Sequence, residues 1–143
     1  TGIELIDEKE NKIGVALRPE THDLLVRKMY REIPFYHPTV MMRRAFLTGT
    51  GGYDPSLRNK AEDLDLWHRS YHGYRFHNLQ EILVRYRIPQ RTKWPEVKER
   101  TFVLARSAWR EGFTPWRAFC VGRYLIASIL ALSGNRRMHF RRK

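Results

Sequence analysis

Gly51-Gly-Tyr-Asp54 and, eight residues further on, Glu62-Asp-Leu-Asp-Leu-Trp67 place a glycine turn just before a run of helical periodicity. Leu64, Trp67 and Tyr71 recur at i, i+3 and i+7, which puts one apolar stripe on a helix from Ala61 to about His72. Three carboxylates, Glu62, Asp63 and Asp65, fall in its first turn, where free N–H groups and the helix dipole favour negative charge. The arrangement admits two readings. In one, the acids complement the helix start and nothing more. In the other, glycine loop and helix start wall a pocket, and one carboxylate, held ionised by N–H groups, serves as a general base.

Working upstream, Thr1–Asp7 and Lys12–Leu17 alternate partially around a polar turn and predict a β-hairpin. Thr21 is placed to cap a helix running to about Glu32, which Ile33-Pro34 ends. His37–Phe46 reads as a strand, with Val40 and Met42 on one face and Thr39 and Met41 on the other. Thr48–Pro55, with its glycines and proline, reads as a tight loop. Downstream, Gly73 stops the helix, and Tyr74–Leu79 and Ile82–Ile88 have the aromatic and β-branched content of strands. Glu96–Glu111 is a helical pattern carrying Val97, Phe102, Val103, Ala105 and Trp109, and Gly112 terminates it. Trp116–Leu132 is a second, more apolar helix.

Composition narrows the function classes. The chain has 143 residues, 42% of them hydrophobic and 13% aromatic, which fits one folded domain and excludes intrinsic disorder. A single cysteine, Cys120, excludes an internal disulfide framework and a cysteine-based zinc site. The net charge of +12 is segregated: residues 1–82 hold 12 Lys/Arg against 12 Asp/Glu, and residues 83–143 hold 15 Lys/Arg against Glu96, Glu99 and Glu111. Such a one-sided field draws polyanions. His68 and His72 are spaced for one helix face, but no third ligand stands near them for zinc. The chain opens at Thr1 without a methionine and reads as a piece of a longer protein.

Five blocks taken in order carry a resemblance. His37-Pro-Thr-Val-Met-Met-Arg-Arg44, Gly51-Gly-Tyr-Asp54, Ala61-Glu-Asp-Leu-Asp-Leu-Trp67, Gly73-Tyr-Arg-Phe-His-Asn-Leu79 and Leu83-Val-Arg-Tyr-Arg87 resemble the later half of a family-2 glycosyltransferase domain, over about Ile33 to Ile88. The resemblance implies an α/β fold. Residues 1–93 would be the acceptor-side part of a GT-A (Rossmann-like nucleotide-diphospho-sugar transferase) domain, and 94–143 a basic extension of amphipathic helices. It implies inverting transfer of a sugar, of hexosyltransferase type, from a nucleotide-sugar donor to a hydroxyl on a glycan or lipid-linked acceptor. Cell-wall or polysaccharide assembly on the cytoplasmic face of a bacterial-type membrane is the implied setting. Asp63 matches the family's base, because a carboxylate ionised at neutral pH can take the acceptor's proton. Glu62 would orient it, and Asp65 would face solvent or cap the helix. Gly52, Tyr53 and Asp54 would shape the acceptor pocket, with His37 on the strand beside it. Trp67 would be an aromatic wall, set against the commoner role of a large aromatic, packing helix on sheet. Arg87 or Arg91 would meet the donor diphosphate.

Two departures accompany the resemblance. The family's Asp-x-Asp, through which magnesium or manganese would bridge the donor diphosphate, is expected upstream of this chain. Asp63-Leu-Asp65 spells that motif but belongs to the helical block, so no metal ligand is assigned here. Pro89 also stands where many members carry a histidine after Tyr-Arg-x. Lacking a complete donor site, the chain is expected to be inactive by itself.

The basic half offers a reading from another class, a non-catalytic module that binds anionic membrane or nucleic acid. Residues 116–143 combine an apolar helix with the tail Arg136-Arg-Met-His-Phe-Arg-Arg-Lys143, suited to a membrane interface and too short and charged for a span. A buried helix with a solvated tail is the plain alternative. Nucleic acid is the weaker option, since no recognised binding module surrounds these arginines.

Overall fold

The computed structural model describes residues 1–57, 61–87 and 94–132, so Pro89, Arg91 and the tail from 133 lie outside the described residues. The fold is mixed α/β. The hairpin forms as expected: β1 (Gly2–Ile6) pairs antiparallel with β2 (Lys12–Ala16). Its turn is held by Asp7, whose Oδ1 accepts from the N–H groups of Lys9 and Asn11. β3 (Ile82–Arg87) runs parallel to β1 on its other side, giving the order β2-β1-β3. Parallel pairing of β1 with a strand so distant in sequence requires a crossover, and the intervening helices supply it.

α1 (His22–Lys28) buries Leu25 and ends a turn earlier than the sequence suggested. Thr21 occupies its N-cap position, but its hydroxyl makes no capping bond. The main correction lies at His37–Phe46, which is no strand. Pro38 instead starts a 3₁₀ turn, His37–Thr39, and α2 (Arg44–Thr50) follows after a short extended link. Alternation over so few residues leaves strand and helix unresolved; here Phe46 is buried against Trp67, Tyr74 and Phe76, and that contact selects the helix. Gly51 and Gly52 then end α2 with φ of +74° and +69°, and the Gly52 N–H returns to the Leu47 carbonyl at 2.8 Å, a Schellman-type stop. Tyr74–Leu79 is likewise no strand. It makes one isolated bridge, His77 to Thr21, and is anchored by buried Asn78, whose Nδ2 donates to the Pro19 and Pro34 carbonyls.

α3 (Glu62–Ser70) lies between two apolar clusters. Leu66 and Trp67 join Leu25, Met29, Phe35 and Phe46. Leu64 joins Tyr30, Leu57, Val103, Leu104 and Val121. The latter residues bring in α4 (Trp94–Glu111) and α5 (Pro115–Leu132), two helices packed on each other. Gly112, at φ +84°, stops α4 as expected, whereas Gly73 lies beyond α3 without a left-handed conformation. α4 buries Val103, Leu104, Ser107 and Ala108, leaving Phe102 and Trp109 outside.

Candidate functional site

Of the residues singled out in the sequence, the fold brings His37, Tyr53, Glu62 and Asp63 to one place. Asp63 sits in the first turn of α3, half-buried, and its Oδ1 accepts from the Leu64 N–H at 2.7 Å. Among the described residues no side chain bonds either this carboxylate or that of Glu62. Both bear on Tyr53. Burial pushes the Tyr53 phenol up, and the charges of Asp63 and Glu62 push it further the same way. The Tyr53 hydroxyl also stands 3.5 Å from His37 Nε2, with the two rings edge to face at 5.8 Å. Trp67, buried in the core, lies behind His37 at 6.2 Å. It backs the site without lining it, so packing is its structural role.

Asp65 overturns the expectation that it faces solvent. Its side chain is 0% exposed, with Oδ2 2.6 Å from Arg69 Nε and Oδ1 2.5 Å from Arg106 Nη2. The physical reason is α4, which covers this side of α3 and turns a helix with one apolar stripe into one buried on nearly every side. Asp54, expected to shape an acceptor pocket, is likewise in an ion pair: Arg106 Nη1 reaches its Oδ2 at 3.1 Å. Hydrogen bonds from the Ser56 hydroxyl and N–H, then Arg106, pull its carboxyl down to about 2. Asp63 and Asp65 cannot form an Asp-x-Asp metal pair, since both Asp65 oxygens are occupied by guanidinium groups.

Two arginines that sequence reading passed over hold the site. Arg69 donates to the Thr50 carbonyl at 2.5 Å and the Gly52 carbonyl at 2.6 Å, besides gripping Asp65. Tyr53 is thus flanked by Gly52, clamped by Arg69, and Asp54, clamped by Arg106, and Asp65 ties the clamps together. The i, i+4 spacing of Asp65 and Arg69 was a usable signal. Arg106 carried none, because its partners lie 41 and 52 residues away.

Arg87 sits elsewhere in purpose. Its guanidinium donates to the Asp7 and Glu8 carbonyls and pairs with Glu10, closing the β1–β2 turn. No bond or ring contact among the described residues ties it to His37, Tyr53 or Asp63. His68 and His72 form no metal pair: His68 is buried on Ser107 and His72 is exposed. Comparison of the chain with family models, curated proteins and solved structures found no match.

Proposed function

We propose that the chain is the acceptor-side part of a GT-A type, family-2-like glycosyltransferase domain, with Asp63 as the general base. One observation carries the reading. Of the four acids in the two central motifs, Asp54 and Asp65 are neutralised by arginines, whereas Asp63 and Glu62 are left beside Tyr53 and His37 without a cationic partner among the described residues. A carboxylate needed only for helix capping gains nothing from a loop clamped in front of it by two arginines. A proton acceptor gains a fixed neighbour that orients the incoming hydroxyl.

In this reading the acceptor hydroxyl lies between Tyr53 and Asp63. Its proton passes to the Asp63 carboxylate as its oxygen forms the bond to the anomeric carbon. The bond from that carbon to the diphosphate oxygen breaks, the nucleoside diphosphate leaves with the electron pair, and configuration inverts. Glu62 and His37 position the acceptor. The test is sugar transfer by the full-length protein carrying this chain, comparing wild type with Asp63→Asn. The expected loss in kcat is about 10²-fold or more. A near-normal rate in the variant overturns the assignment.

A further inference from the structure

The α4–α5 hairpin leaves its largest side chains uncovered. Trp109 is 79% exposed, and Phe113, Trp116 and Phe119 follow it around the turn, each about half exposed. They contact one another in pairs, Trp109 with Phe113 and Trp116 with Phe119, and among the described residues reach no core residue as ring partners. α5 continues the surface. Cys120 and Val121 face inward, while Phe119, Leu125, Ile126 and Ile129 lie on the opposite arc, Ile129 at 63% exposure. An apolar outward face on a surface helix requires a partner.

Charge identifies the partner's chemistry. No Asp or Glu follows Glu111 in the sequence, and Glu111 itself is turned inward onto Tyr30, Tyr71 and Ser107. Arg117 also folds inward, bonding the Glu111 and Gly112 carbonyls. The exposed charges beside the aromatic turn and on α5 are Arg110 and Arg123, both positive. A second copy of the same surface would bring like charges together with no acid to receive them. A nucleic acid would meet mostly hydrocarbon. A bilayer with anionic headgroups satisfies both halves, taking the aromatic and aliphatic side chains at the acyl boundary and the arginines at the phosphates. No helix among the described residues is long and apolar enough to cross a membrane, so the contact is one of lying on the surface.

We propose that the α4–α5 turn and the outward face of α5 form a docking surface for an anionic lipid bilayer. This places the contact at Trp109–Phe119 and along α5, ahead of the basic tail that charge alone singles out, and it does not depend on the role of Asp63. The test is co-sedimentation of the full chain with phosphatidylcholine vesicles containing a third phosphatidylglycerol, together with tryptophan emission. Wild type is expected to pellet with a blue shift. A variant with Trp109, Phe113, Trp116 and Phe119 changed to Ser, and a second with Arg110→Glu and Arg123→Glu, should each bind at least about tenfold more weakly with unchanged helical circular dichroism. Wild type remaining in the supernatant, or the aromatic variant binding as well as wild type, overturns the proposal. So does a concentration-dependent dimer that the aromatic variant abolishes in the absence of vesicle binding.

Discussion

Asp63 and Asp65 stand two positions apart on one helix and have opposite fates. Asp65 is removed from water and held by Arg69 and Arg106, while Asp63 keeps a half-exposed carboxylate toward Tyr53. Arg69 four residues on marks Asp65 as an ion-pair candidate, but its burial depends on which side α4 covers. The energetic consequences differ in kind. Asp63→Asn removes no ion pair and forfeits only a first-turn charge, so its unfolding free energy in urea should stay within about 1 kcal/mol of wild type while activity falls. Arg106→Met leaves the Asp65 carboxylate with only Arg69, and the loss of one partner of a fully buried charge is costly. Because Arg69 remains, the expected destabilisation is about 2–3 kcal/mol, below the full cost of stranding a buried charge. Equal urea midpoints for Arg106→Met and wild type would remove the clamp from the account.

Between α2 and α3, glycine geometry sets where Tyr53 stands. Gly52 has φ +69° and open space around the position a Cβ would take, so Gly52→Ala isolates the backbone cost from any clash. That cost should be about 1–2 kcal/mol by thermal or urea unfolding. Gly73 also has open space but no left-handed φ, and Gly73→Ala should leave stability unchanged or raise it by about 0.5–1 kcal/mol. The reverse order of the two variants would show that the turn does not hold the loop. The glycine turn, α3, the hairpin and both C-terminal helices were readable from periodicity and punctuation. The stretches 37–46 and 74–79 were not. Each has strand-like residues, yet Phe46 is committed to an aromatic cluster and Asn78 to loop carbonyls, partners that no local pattern encodes.

Across the whole molecule, the turn after α1, α3, α4 and α5 meet at one buried polar network. His68 Nδ1 lies 2.9 Å from the Ser107 hydroxyl, Ser107 donates to Glu111 at 2.7 Å, and the Tyr30 and Tyr71 hydroxyls also bond Glu111. Burial pulls the His68 imidazole from its ordinary 6.5 down to about 4. Burial, reinforced by Glu111, pushes the Tyr30 phenol up to about 12 and raises that of Tyr71 as well. Glu111 is pushed up by burial, but bonds from Tyr71, Ser107 and Tyr30 and the charge of Arg117 leave it below the usual range. The unfolded chain takes up a proton near pH 6.5 that the folded protein refuses until about pH 4, so stability is full above 6.5 and declines as pH falls toward 4. The decline should reach about 3 kcal/mol at most, at a slope near 1.4 kcal/mol per pH unit. Below the ordinary Glu value of 4.5, protonation of Glu111 continues the loss in the same direction. Urea titrations from pH 7.5 to 4 should show the slope in wild type and its absence above pH 5 in His68→Gln. An unchanged slope in that variant would assign it to other groups.

Chain order and side-chain chemistry by themselves determined the helix with its acidic first turn, the hairpin ahead of it, the paired helices behind it and the concentration of positive charge in the last part of the chain. These are properties of neighbouring residues, set by backbone sterics, periodic burial and the simple sum of charges. Tertiary packing alone decided that Asp65 is a buried clamp, that Arg106 reaches two acids from α4, and that Trp109 and Phe113 face outward while Trp67 faces in. Which side of a helix meets water is settled only when a distant helix covers one face and leaves the other, and no local spacing carries that information.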